Sequence, residues 1–485
     1  MTILVIDIGS SSVRAMLFDT HARLIEGAVA IQKYEFTTLP LGASTIEPLE
    51  LRNHVEACID EILQHPRADE IQAVGMDTFV GNIMGIDSSG NPLTPIYTYA
   101  DTRSSEDVEQ LRLAVDLLET HQRTGCPHHT AYLPGRLHWL YRTGQADEVV
   151  KWVDFATYLY ISWFGKSDMP CSYSVATWSG LFNRNALSWD AEWLRILDLS
   201  VNAFPPLLDY DTPQIGLSPL YIRRWALLHD VPFFLALGDG AAANVGSGCV
   251  NENYIALTLG TTAALRVVTN RQIPVPVGLW SYRVDKNLHL VGGATSEGGN
   301  IFQWARETLA FDDLTRLDAA IADQPTDSHG LTLLPLFAGE RSPGWRADAT
   351  GAIIGLRLST TPLNIVHAAL EGIALRLGLI AEQLDPITSS DTVVVAGGGA
   401  INASPAWAQI ITNTLNRPLH LTNETELTAR GTALLTLKAL GKINSINALP
   451  VISKVLIPQP EAVEKLLKAR LRQQDIYQRL YGLPL

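Results

Sequence analysis

The chain has 485 residues, of which 47% are hydrophobic and 18% charged, and a formal net charge of −14. That length exceeds one ordinary domain and predicts two or three, each with a sizeable core. The acidic balance excludes nucleic acid or an anionic membrane surface as the main partner, yet it leaves room for a phosphorylated ligand held by backbone N–H groups and a metal ion.

Cys58, Cys126, Cys171 and Cys249 are scattered and form no CxxC pair, so they read as buried thiols of a reducing compartment. The start, MTILVIDIG, has no basic n-region and is not a signal peptide. No run approaches the ~18 apolar residues of a membrane span, so a soluble cytoplasmic protein is expected.

The first element is Val5–Asp19, VIDIGSSSVRAMLFD: an apolar strand carrying Asp7, then Gly9 and three serines, then a second apolar stretch. It reads as strand, tight turn, strand, with Gly9 supplying a positive φ at the turn. Next comes Gly75–Arg103, GMDTFVGNIMGIDSSGNPLTPIYTYADTR. Its final Asp101-Thr102-Arg103 reads either as a ligand site or as a capping and salt-bridge cluster before a helix starting near Ser104. His128-His129 lacks further ligands at metal spacing and is read as loop or pocket. Gly165-Lys166-Ser167 is no P-loop, because Tyr160 stands where the first glycine must be.

In Leu235–Cys249, LALGDGAAANVGSGC, Asp239 ends an apolar strand between Gly238 and Gly240. It reads as a helix N-cap or as a carboxylate that a ligand can approach, and the small residues behind it suit close helix packing. From Tyr254, YIALTLGTTAALRVV echoes the first element: Gly9-Ser10-Ser11 matches Gly260-Thr261-Thr262, and Asp7 matches Thr258. Two such hairpins half a chain apart predict two related domains, unless the echo is a coincidence between common motifs.

Gly292–Trp304 has glycines opening a helix, with Gly299 and Gln303 one turn apart. Gly339–Leu356 is a polar loop that leads to a Thr361-Pro362 cap. The helix after it has Ile365, Val366, Ala369, Leu370, Ile373, Ala374 and Leu377 on one core-facing side. Asp391–Leu415 is a buried strand, then Gly397-Gly398-Gly399, then a helix. It lacks GxGxxG spacing, so it either brings N–H groups to an anion or serves helix–strand packing. A charged amphipathic helix from Pro460 closes the chain.

Taken in order, DIGSSSVR, the mid-chain GDG, LGTT, the GG-helix, GERSPGWRADATGAIIGL and AGGGAINASPAWAQI resemble the FGGY family of carbohydrate kinases, in the actin/Hsp70/sugar-kinase superfamily. The resemblance runs from residue 1 to about residue 440 and lies in the ordered set. It implies an α/β fold of two actin-like (ribonuclease H-like) domains, each a mixed sheet flanked by helices, with an interdomain cleft. The expected division is 1–248 and 249–485.

The resemblance further implies ATP and Mg²⁺. Asp7 would face the metal, while Gly9, Ser10, Ser11, Ser12 and Arg14 reach the transferred phosphate. Gly260, Thr261 and Thr262 would grip phosphates as well. Gly299, Gln303, Gly398, Gly399 and Asn402 match positions that line the adenosine and α-phosphate site. Asp239 would be the base that takes the acceptor hydroxyl's proton. Asp77, Thr78, Asp101 and Arg103 are implied at the sugar site, with Arg103 or Arg136 pairing a sugar-acid carboxylate.

DTFVGN departs from the DTWGVD-like sequence of rhamnulose-type kinases, whereas ADTRS and TGCPHHTAYLPGRLHWL look like the gluconate and xylulose types. The expected function is ATP-dependent phosphorylation of a small sugar, polyol or sugar acid such as gluconate, xylulose or ribulose. The resemblance allows a homodimer. A superfamily ATPase without a sugar acceptor, and a silent sugar or nucleotide sensor, are the alternatives.

Overall fold

The computed structural model describes residues 1–482. The chain forms two compact units. The first comprises Met1–Gly246 together with Ser281–Leu290 and Glu426–Ala448, and the second holds Ser247–Trp280, Val291–Thr425 and the chain from Leu449 onward. A single cut at 248 therefore misplaces two short segments, both of which pack with the first unit. The longer of them is the helix Leu427–Ala439.

In the first unit, strands β1 (Thr2–Ile8), β2 (Ser12–Phe18), β3 (Leu24–Lys33), β4 (Ile71–Thr78), β5 (Pro213–Gln214), β6 (Phe233–Phe234) and β7 (Leu237–Gly238) share one sheet. Its order is β5-β6-β4-β1-β2-β3, with β7 also beside β4. β1 and β2 form the antiparallel hairpin expected from VIDIGSSSVRAMLFD, and β1 runs parallel to β4. Every residue of β1 is buried, as its apolar run requires of a strand covered on both faces. Helix Pro48–Ile62 packs on β2 and β3 and buries Leu51, Val55, Ile59 and Ile62.

In the second unit, β8 (Tyr254–Leu259), β9 (Ala263–Thr269), β10 (His289–Thr295), β11 (Val393–Gly397), β12 (Leu419–Thr422) and β13 (Ile452–Leu456) run in the order β10-β9-β8-β11-β12-β13. The pairings repeat those of the first sheet. β8 and β9 form an antiparallel hairpin, β8 is parallel to β11, and an antiparallel strand closes the edge. The echo between Ile3 and Tyr254 is thus a repeat of topology and no coincidence.

Helix Pro362–Leu384 is the centre of the second core. Thr361 caps it with a reciprocal bond to Asn364, and Pro362 occupies its first turn, as expected. Its length and hydropathy would let it cross a membrane, which apolar-run counting overlooked, but 83% of its most apolar window is buried within the protein.

One detail of the hairpins differs from expectation. Neither Gly9 nor Gly260 has a positive φ. Glycine is there for space: a Cβ on Gly260 would meet nothing within 4 Å, so the residue leaves a cradle open at the turn.

Candidate functional site

The first unit gathers three carboxylates at the C-terminal ends of parallel strands. Asp7 on β1 lies in register with Asp77 on β4, and β7 sets Leu237 opposite Asp77 and Gly238 opposite Thr78. Asp239 follows directly and opens the helix Asp239–Gly246, where the helix dipole favours a negative charge. That helix packs on Leu427–Ala439 through glycines. A Cβ on Gly431 would lie 2.7 Å from the Ala242 carbonyl carbon and from the Gly246 nitrogen. The small residues after Asp239 are needed for this close crossing.

Asp7 is 7% exposed. Burial raises its pKa, against the hydrogen bond with Asp77 and the Arg14 charge, which lower it. Asp77 is fully buried and is pushed well above the usual carboxylate range, first by burial and then by the charge of Asp7. Two buried carboxylates this close disfavour each other's charge, so the pair titrates as a unit, above the usual carboxylate range. Thr432 Oγ1 donates to Asp77 Oδ2 at 2.7 Å. Arg14, the cation paired with this group among the described residues, lies 3.6 Å from Asp7 Oδ2 and 2.8 Å from Glu426 Oε2. Asp7 and Glu426 therefore share one guanidinium. Asp7, a hard oxygen donor at a strand end beside an open turn, suits a divalent cation such as Mg²⁺.

The turn beside Asp7 is open: Ser10 and Ser11 are exposed, and Gly9 N–H bonds the Ser12 carbonyl at 3.0 Å. Tyr34 donates its hydroxyl to the Gly9 carbonyl. Burial, together with the charges of Asp7, Tyr99 and Asp239, raises the Tyr34 pKa, which places these groups around one spot.

Several residues expected at the sugar site prove to be internal. Asp77 and Thr78 have no exposure and cannot meet a sugar, because β4 is central in the sheet. Asp101 is 1% exposed and accepts from Ser44 N–H and from Arg103. Arg103 makes bonds of 3.1 and 2.5 Å to Asp101 and stacks 4.7 Å over Trp139. The capping and salt-bridge reading describes this pair. Arg136 is fully buried and donates to the carbonyls of Gly81, Asp101 and Thr130 at 3.0–3.2 Å. It ties together three loops, which also carry Tyr99 and Tyr132, and its two terminal nitrogens are engaged on carbonyls while Nε is buried.

In the second unit, three glycine elements converge. Gly299 N–H bonds the Gly260 carbonyl at 2.7 Å, and a Cβ on Gly299 would lie 2.7 Å from Cβ of Ala400. Thr261, Thr262, Gln303, Gly399 and Asn402 are exposed around this junction, and Gly399 has open space where a Cβ would be. Gly398 has φ +123° and approaches the Leu259 backbone closely, which only glycine permits. Gln303 and Asn402 are oriented by Glu307 and by the Thr422 carbonyl. Arg266 bonds Thr258 where the first hairpin has Asp7, so this hairpin carries no metal carboxylate.

Thr432 and Glu426 escaped sequence reasoning, because both lie over 340 residues from the aspartates they serve and no motif marks them. The second unit also holds Asp327, His329 and Glu371 within 4.8 Å of one another, with His367 on Glu371. They form no metal centre. His329 Nδ1 accepts from Leu331 N–H, so the proton is on Nε2, which points at Glu371. Glu371 accepts from Asp327 N–H, His329 and His367 and is satisfied without an ion.

Residues 2–246 match the N-terminal domain and residues 255–440 the C-terminal domain of the FGGY family of carbohydrate kinases. The chain is 26% identical over 460 residues to a gluconokinase of Bacillus subtilis, covering 91% of this chain and 88% of that protein. The fold matches the crystal structure of gluconate kinase from Lactobacillus acidophilus with TM-score 0.92 at 23% identity, over 100% of this chain and 99% of the other. Xylulose kinase from the same organism also matches with TM-score 0.92, at 24% identity over 100% and 99% of the two chains.

Proposed function

This chain belongs to the FGGY family of carbohydrate kinases, and on that premise we propose that it transfers the γ-phosphate of Mg·ATP to a hydroxyl of gluconate or a closely related open-chain sugar acid. The enzyme class is that of an ATP-dependent kinase with an alcohol group as acceptor. The observation that carries the site assignment is the alignment of Asp7, Asp77 and Asp239 on three neighbouring parallel strand ends.

In this reading Asp7 holds Mg²⁺, with Asp77 buried beside it on the next strand. The metal supplies charge neutralisation on the phosphates. The Ser10–Ser12 turn and Arg14 donate to the transferred phosphoryl group. Gly260, Thr261, Thr262, Gly398 and Gly399 line the remaining phosphates, and Gly299, Gln303 and Asn402 take the adenosine end. Asp239 orients the acceptor hydroxyl and takes its proton.

A neutral pentulose such as xylulose is the second reading. It is favoured by the pairing of Arg103 with the Asp101 carboxylate and by the burial of Arg136 on three carbonyls. The test is ADP release from Mg·ATP across gluconate, xylulose, ribulose, rhamnulose, fuculose, glycerol and erythritol. Stimulation by gluconate supports the first reading and by xylulose the second. Sugar-independent hydrolysis, or stimulation by glycerol or erythritol alone, would sink both.

A further inference from the structure

We infer that the indole of Trp178 is the surface on which the acceptor sugar stacks while its hydroxyl is presented to Asp239. The inference rests on the kinase reading above for the role of Asp239 and adds a residue that neither motif nor resemblance supplied.

The approach of the indole to the strand end is built into the chain. Gly238 precedes Asp239, and a Cβ there would lie 2.6 Å from Nε1 of Trp178, 3.0 Å from Val80 and 3.1 Å from the Ser174 carbonyl. Only a residue without a side chain lets the indole edge close over this position. Ser174 Oγ in turn accepts from Gly238 N–H at 3.1 Å, so the strand end is fixed from the same short helix, Tyr173–Ala176. Trp178 follows that helix directly, in the turn Thr177–Ser179.

The indole is also held rigid from behind. Its ring lies 3.7 Å from that of Tyr282, nearly parallel at 30°. Tyr282 is 2% exposed, and its hydroxyl bonds that of Tyr132 at 2.6 Å. Tyr132 packs against Gly180, where a Cβ would lie 2.9 Å from its own Cβ. Trp178 itself is only half-buried, and so is Asp239. A rigid aromatic, backed on one face and partly open beside a half-open carboxylate, is how a binding surface for a polyhydroxy chain is made: the ring takes the C–H face and the carboxylate takes a hydroxyl. Holding the acceptor in one orientation is what in-line transfer requires of the protein.

The test compares wild type with Trp178→Ala and Trp178→Phe, using D-gluconate and D-xylulose as acceptors. Steady-state kinetics and calorimetric titration of each sugar without nucleotide are both recorded. Trp178→Ala should raise the acceptor KM and Kd at least 20-fold, with the KM for Mg·ATP and the melting temperature unchanged. Trp178→Phe, which retains a ring on Tyr282, should recover at least half of the loss on a logarithmic scale. An acceptor Kd within threefold of wild type in Trp178→Ala overturns the inference whatever the transfer rate. A parallel rise in the KM for Mg·ATP also overturns it, because it marks a general disturbance. A wild type that binds either sugar yet transfers no phosphate would defeat the kinase reading and leave Trp178 to the affinity comparison. A wild type that binds neither sugar overturns the assignment to this acceptor class.

Discussion

Replacing Arg136 by leucine tests whether one buried guanidinium holds the acceptor-side loops in place. Arg136 has no exposure and donates to the carbonyls of Gly81, Asp101 and Thr130. Leucine leaves three buried acceptors without partners, and at about 2 kcal/mol each the loss is about 6 kcal/mol. Burial holds the guanidinium pKa down at about 10 against 12.5, so removing the charge returns about 3 kcal/mol at 1.36 kcal/mol per pH unit. The net cost is about 3 kcal/mol, confined to the loops. Hydrogen exchange followed by mass spectrometry on peptides spanning 79–103 and 127–140 is the assay, since it reads local opening. Exchange there should accelerate roughly 100-fold, with peptides of the second unit unchanged. The acceptor KM should rise while the KM for Mg·ATP stays put. Protection within threefold of wild type in both peptides would refute the reasoning, because it would mean that the three carbonyls find other partners.

Asp239→Asn should lower kcat by roughly 10²- to 10⁴-fold, the usual contribution of a general base, while calorimetry shows ATP affinity within threefold. Near-normal turnover would remove Asp239 from that role. Gly260→Ala meets no atom within 4 Å and needs no positive φ, so its melting temperature should match wild type while the KM for ATP rises about tenfold, a cost of about 1.4 kcal/mol. An unchanged KM would mean that no phosphate occupies the cradle. Glu371→Gln tests the buried cluster in the second unit. Burial raises the Glu371 pKa, yet hydrogen bonds from His329 and His367 more than offset this and hold it at about 2. A depressed pKa contributes stability that is complete above the unfolded value, near 4.5, and lost as pH falls towards 2. The variant should therefore be less stable than wild type at pH 7 by about 3 kcal/mol, and chemical denaturation should show the gap narrowing from pH 4.5 downward. A gap independent of pH would refute the ionised assignment.

What the sequence by itself determined is local. The strands on either side of Gly9 and Gly260, the Thr361 cap and the glycine run at 397–399 are written in contiguous residues, because turns, caps and apolar periodicity are set by neighbours a few positions apart. The same locality marked Asp7 and Asp239 as carboxylates ending apolar strands beside glycine, and the family resemblance supplied the roles proposed for them. Only the tertiary structure decided which polar residues face a ligand and which face each other. DTFVGN and ADTR read as a sugar site from sequence, yet β4 lies mid-sheet and buries Asp77 and Thr78, while Arg103 is spent on Asp101. Glu426 and Thr432 joined the aspartates because Gly431 and Gly246 let two helices cross closely, a contact with no signature in sequence spacing. Trp178 reached the strand end for the same reason, since Gly238 left the room. Burial and pairing depend on which chain segments meet in space, and that is fixed by packing over the whole fold.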